Sequence, residues 1–146
     1  MARSAADVLA LGQGAFFLAA GVWPLVHLPS FEAVTGPKAD DWLVRTVGSL
    51  LGVVGGVLLA AGSRRRVTPE VRALAMVSAG ALAVIDGVYV AKGRISRVYL
   101  LDGAIQLGIV AAWAMTTRGR RAERPAREHL PTSPSTEALP PSPLAS

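Results

Sequence analysis

The sequence predicts an all-α fold: a four-helix transmembrane bundle with both termini on the cytoplasmic side and a disordered C-terminal tail. Three observations predict it. The 146 residues are 51% apolar but only 5% aromatic, and the mean hydropathy is +0.42, too apolar for a soluble domain of this size that ends in a polar tail. Four apolar runs of bilayer-crossing length follow one another, separated by short polar loops. The Lys and Arg residues fall unevenly on the two sides those runs define.

The first span covers residues 8–28, which are uncharged apart from His27. Asp7 stands where a signal peptide would be basic, and the run is long for one, so the segment reads as a span and not a cleaved leader. Pro24 is expected to kink or end this helix. Residues 29–41 form a loop in which Ser30 caps a short interfacial turn and Gly36-Pro37 breaks it. Asp40 or Asp41 caps the second span, residues 42–62, and Trp42 is its interfacial anchor. Gly48, Gly52, Gly56 and Ala60 recur every four residues there, a smooth stripe for close helix contact.

Arg64, Arg65 and Arg66 fill the next loop, and Thr68 or Pro69 opens the third span, residues 70–91. Ala75, Ala79, Ala83 and Gly87 make its small-residue stripe. The fourth span, residues 96–117, carries Ala104, Gly108 and Ala112 in the same role. From 118 to 146 a run of arginines gives way to Pro, Ser and Thr. That composition is too poor in apolar surface to fold, and its basic start suits anionic lipid.

Orientation follows from the basic residues. Arg3, Arg64, Arg65, Arg66, Arg72 and five tail arginines lie on one side; Lys38, Arg45, Lys92, Arg94 and Arg97 lie on the other. Ten against five places both termini in the cytoplasm. This use of charge points to topology and a lipid bilayer, not to nucleic acid. The chain has no cysteine, which excludes disulfides, thiol catalysis, iron–sulfur clusters and cysteine zinc sites.

The third and fourth spans form a hairpin that nearly mirrors itself about Arg94. Asp86 and Asp102 are equally far from that residue, as are Tyr89 and Tyr99. Asp86 and Tyr89 share a helix face at i,i+3, and Asp102 shares one with Gln106 at i,i+4. Asp86 enters about five residues, roughly 7–8 Å below its helix end. His27 ends the first span and Arg45 begins the second at similar depth. The seven residues His27, Arg45, Asp86, Tyr89, Tyr99, Asp102 and Gln106 thus make a candidate polar cluster in the outer half of the bundle.

Two carboxylates inside a bilayer are expensive and call for a reason. In a structural knot, Arg45 neutralises one Asp and the tyrosines and Gln106 satisfy the rest. In an outward-facing ligand or proton site, two acids sharing one Arg leave one carboxylate uncompensated. Arg45 entering only one turn also suits snorkelling to the headgroups. No catalytic motif is present: Gly12-Gln13-Gly14 has no strand before it, and His27 with Ser30 lacks a nucleophile elbow. The other histidine, His129, lies in the tail, so no bis-histidine haem forms in the bundle. No metal or cofactor is expected.

The stretch Trp-Pro-Leu-Val-His-Leu-Pro-Ser-Phe-Glu-Ala-Val-Thr-Gly-Pro-Lys at 23–38, followed by Trp-Leu-Val-Arg-Thr-Val-Gly at 42–48, resembles a motif of an uncharacterised family of small bacterial four-helix integral membrane proteins. The resemblance covers roughly residues 5–117 and implies topology only. Together these readings give a non-enzymatic, multi-pass protein of the bacterial plasma (inner) membrane, with self-association through the small-residue stripes. A small proton-coupled carrier using Asp86 or Asp102 is the alternative.

Overall fold

The computed structural model describes residues 2–37 and 39–128, with side chains as far as 117. Its elements are α1 (Ala5–Val26), α2 (Leu28–Thr35), α3 (Asp41–Ser63), α4 (Pro69–Ala91) and α5 (Tyr99–Glu128). Four of them, α1, α3, α4 and the Tyr99–Thr117 part of α5, are long and apolar enough to cross a membrane.

Local chemistry sets the ends. Ser4 caps α1 in a reciprocal box with Asp7: the Asp7 amide donates to Ser4 Oγ at 3.2 Å, and the Ser4 amide donates to Asp7 Oδ2 at 3.0 Å. Pro24 lies inside α1 and the helix ends two residues later, at Val26. Thr68 caps α4 with Pro69 at the first helical position. Gly93, at φ +65°, turns the chain at the α4–α5 tip.

The turn expected at 29–41 is a full helix, α2. Its cap is His27 and not Ser30, because the Ser30 amide donates to His27 Nδ1 at 3.1 Å. The fourth span begins at Tyr99, since Ser96 holds a turn ahead of it by accepting from the Tyr99 amide. The tail expected to be disordered from 118 continues α5 to Glu128; Ala, Arg and Glu, good helix formers, dominate that stretch. The rest of that tail, residues 129–146, and Lys38 lie outside the described residues.

The bundle is two antiparallel pairs, α1 with α3 and α4 with α5, and α1 makes the main bridge between them. The α1–α3 seam is built on glycine. A Cβ on Gly14 would lie 2.8 Å from the Gly55 carbonyl, one on Gly62 would lie 2.8 Å from the Asp7 carbonyl, and one on Gly21 would strike the Gly48 carbonyl. Gly14 and Gly21 are seven residues apart, as are Gly48, Gly55 and Gly62. A seven-residue period keeps two helices in contact along a left-handed seam, whereas a four-residue stripe rotates off it. The stripe expected every four residues is therefore corrected. Gly56 faces open space and Gly55 does the packing. Gly87 and Gly108 likewise face open space, while Ala75, Ala79, Gly103, Gln106 and Trp113 are buried.

Much of the interior is alanine and glycine around a few large side chains, Phe17, Leu58 and Trp113, while many other large apolar residues face outward. Ala6, Ala10, Ala75, Leu58 and Trp113 form the buried core, while Val26, Val53, Val77, Val84, Leu101 and Met115 are all at least 65% exposed. In three of the four spans only 17% of the most apolar window is buried. Apolar surface on this scale suits a hydrocarbon solvent, in which close backbone approach and internal hydrogen bonds hold helices together.

Candidate functional site at the hairpin end

The α4–α5 hairpin is in register from tip to base. Asp86 and Asp102 are level, as expected from their equal distance to Arg94. The Asp86 side chain packs over Gly103, whose added Cβ would lie 3.5 Å from Asp86 Cβ and 3.8 Å from Asp86 Oδ2. The Asp86 and Asp102 carboxyls are within hydrogen-bonding reach of each other. One turn further into α5, Gln106 Nε2 donates to both Asp102 oxygens at 3.5 Å, the long limit of such a bond. Asp86 is 5% exposed and Gln106 1%, while Asp102 is half-buried.

These three side chains have too few donors. Asp86 Oδ2 and Gln106 Oε1 are both buried and neither has a hydrogen-bond partner among the described residues. Both are acceptors, so what is missing is a donor or a positive charge.

Of the other four residues of the expected cluster, Arg45 and His27 stand apart from this trio. Arg45 is exposed on α3, a helix that barely touches α4, and Asp86 Oδ2 has no partner, so no Arg45–Asp86 pair forms. This follows from the glycine seam, which commits α3 to α1. His27 is exposed and is used up as the cap of α2, where Ser30 Oγ also donates to its carbonyl at 3.0 Å. Trp23 Nε1 donates to Ser30 Oγ at 2.8 Å and completes that corner. Tyr89 is 45% exposed, with the Lys92 ammonium 5.7 Å over its ring. Tyr99 is half-buried in the first turn of α5.

A second buried polar group, at the opposite end, went unread in the sequence. Gln13 of α1 donates from Nε2 to the Ala75 carbonyl of α4 at 2.8 Å, and its Oε1 accepts from Trp113 Nε1 of α5 at 2.8 Å. Arg72 lies 5.6 Å over the Trp113 ring and donates to Thr116 Oγ1 at 3.2 Å. Thr116 Oγ1 donates in turn to the Trp113 carbonyl at 2.7 Å. Three helices are clasped here and each of these side chains is satisfied. The available signal was plain: Gln13 is the sole amide, hydroxyl or charged side chain in α1 between Asp7 and its end.

Among the described residues no three His, Cys, Asp or Glu side chains gather as metal ligands. Comparison with protein-family models, with characterised proteins and with solved structures returns no match.

Proposed function

We propose that this chain is a multi-pass protein of the bacterial plasma membrane, with both termini in the cytoplasm, that catalyses no reaction and uses the Asp86–Asp102–Gln106 group as a ligand site below its external surface. The orientation rests on the ten-to-five split of basic residues. The single observation supporting a ligand site over a structural knot is the pair of buried, unpartnered acceptors, Asp86 Oδ2 and Gln106 Oε1. A group kept for structure closes its hydrogen bonds, as Gln13 does. The exposed small residues Ala104 and Gly108 on α5 suit self-association, and the arginines from Arg118 on suit anionic lipid. Membership of the family of small four-helix membrane proteins that the 23–48 motif resembles belongs to the same reading.

The test has two arms. A reporter active only in the periplasm is placed after Gly36, after Arg94 and after Ser146. Activity at the first two and none at the last is expected, and the reverse sinks the orientation. Asp86→Asn is then compared with wild type for abundance and thermal stability. Both should be retained. A loss of about 3–5 kcal/mol, the scale for breaking a buried pair, would make the group a structural knot.

The carrier reading draws on the same two acids, at a depth where charge is functional by default. It adds one requirement. Solute uptake into proteoliposomes must depend on a proton gradient and vanish in Asp86→Asn, while simple binding needs no flux.

A further inference from the structure

We infer that Asp86, Asp102 and Gln106 together hold one monovalent cation, a proton or a sodium ion, inside the α4–α5 hairpin. The inference deepens the reading of this group as a ligand site and rests on it. Its first support is a donor count. Two carboxylates and one amide bring many acceptor lone pairs and only the two N–H donors of Gln106. Nε2 is already spread over both Asp102 oxygens at 3.5 Å, and Asp86 Oδ2 and Gln106 Oε1 are left with nothing. Both orphaned atoms belong to side chains more than nine-tenths buried, at 5% and 1% exposure.

The second support is that, among the described residues, no neighbouring element supplies the positive charge. From α5 the facing group is Asp102, itself acidic. On α4 the nearest titratable groups are Tyr89, which is exposed, and Lys92, which sits over the Tyr89 ring. Tyr99 lies at the start of α5, level with Tyr89. Packed beside the hairpin, α1 has no titratable residue between Asp7 and its end at Val26. His27 caps α2, and Arg45 is exposed on α3.

Ligand chemistry selects the ion class. Every unfilled position is a hard oxygen, which suits a proton or an alkali ion and not a soft metal. Calcium takes six to eight oxygens and magnesium keeps a near-ideal octahedron of ligands and waters. Three side chains from one hairpin, with no third acid or histidine gathered beside them among the described residues, fall short of both. A sodium ion bridges carboxylate and amide oxygens directly. A proton does the equivalent by turning one carboxylate oxygen into an O–H donor. The half-buried Asp102, in the first turn of α5, gives the ion its way in.

The experiment is a thermal melt of the full chain in detergent. It is run in choline, potassium and sodium chloride at equal ionic strength and neutral pH, and in choline chloride at mildly acidic pH. The expected result is a melting temperature raised by about 5 °C by sodium or by acid, and flat in potassium. A rise with sodium identifies the metal ion, and a rise with acid alone identifies the proton. Asp86→Asn should melt no lower than wild type in choline and should lose the response. Gln106→Leu, which removes Oε1, should need several-fold more ion for the same shift. If Asp86→Asn is unstable, Asp102→Asn and Gln106→Leu carry the comparison. A wild type indifferent to all four conditions overturns the inference, as does an Asp86→Asn protein that responds like wild type. That failure is distinct from a failed ligand site, which shows instead as collapse of Asp86→Asn, Asp102→Asn and Gln106→Leu alike in every condition.

Discussion

Gln13 and Gln106 are the same residue, equally buried, at 4% and 1% exposure, one in each half of the bundle. Gln13 has both halves of its amide used, giving to Ala75 of α4 and taking from Trp113 of α5 at 2.8 Å each. Gln106 gives one weak, shared donor to Asp102 at 3.5 Å and leaves its oxygen alone. The first is a clasp across three helices. The second stays within one hairpin beside an acid that is itself incomplete. In a bundle where apolar side chains face outward, polar contacts take over part of the role of a hydrophobic core. Closed contacts then mark where the fold is held, and open ones mark where something else binds.

The largest predicted effect is at the closed end. Trp113→Ala removes a fully buried ring, the donor to Gln13 and the face under Arg72. It should cost about 3–5 kcal/mol, read as a drop in thermal midpoint in detergent. A small effect would break the comparison, since the clasp would then hold nothing.

The glycine seam comes next. Gly55→Ala places a methyl 2.6 Å from the Leu18 amide nitrogen and should cost about 1–3 kcal/mol by forcing α1 and α3 apart. Gly56→Ala, with nothing within 4 Å, should be neutral or stabilising by up to about 1 kcal/mol, since Ala is the better helix former. Because α1 enters the clasp and the acidic pair is made by α4 and α5, Gly55→Ala should perturb Trp113 fluorescence and spare any cation response. Equal effects at 55 and 56 would remove the seven-residue seam.

Exchanging the two glutamines sharpens the contrast directly. Gln13→Leu strands the Trp113 N–H in the core and should cost about 1–3 kcal/mol. Gln106→Leu gives up only long bonds and an unpaired oxygen, and should cost under about 1 kcal/mol. Melts of the two variants side by side settle it; the reverse order would assign the structural role to the hairpin end.

What the sequence disclosed divides along the same line. The four apolar runs, the Thr68 cap and the symmetry of the hairpin about Arg94 were legible because each depends on residues near one another in the chain. That symmetry set Asp86 level with Asp102, and the i,i+4 spacing set Gln106 beside Asp102, as the side-chain contacts have it. The seam register was not chosen correctly, although Gly14 with Gly21 and Gly48 with Gly55 and Gly62 carried the seven-residue signal. A repeat on one helix gains meaning only beside its partner's. Gln13 was passed over because its hydrogen bonds reach 62 and 100 residues along the chain, and no local pattern encodes them. Arg45 was drawn towards the acids by depth alone. Depth does not fix which helix neighbours which, and the glycines send α3 to α1.

Arg45 therefore gives the smallest predicted effect, and a specific one. Its guanidinium starts about one turn into α3 and is exposed, which is the setting in which a long cationic side chain lays its stem along apolar surface and keeps its head among headgroups and water. Arg45→Ala should then change stability by no more than about 0.5 kcal/mol, and by the same amount at neutral and mildly acidic pH, since no buried carboxylate loses a partner. Combined with Asp86→Asn, the two changes should add, because residues that share no contact show no interaction energy beyond about 0.3–0.5 kcal/mol. Had Arg45 neutralised Asp86, the single variant would leave a buried charge unpaired, fare worse at neutral than at acidic pH, and be rescued by Asp86→Asn. Melts of wild type, both singles and the double at two pH values separate these outcomes. Rescue in the double variant would put Arg45 at the acidic pair, supply the positive charge it lacks from within the chain, and leave no vacancy for an external cation.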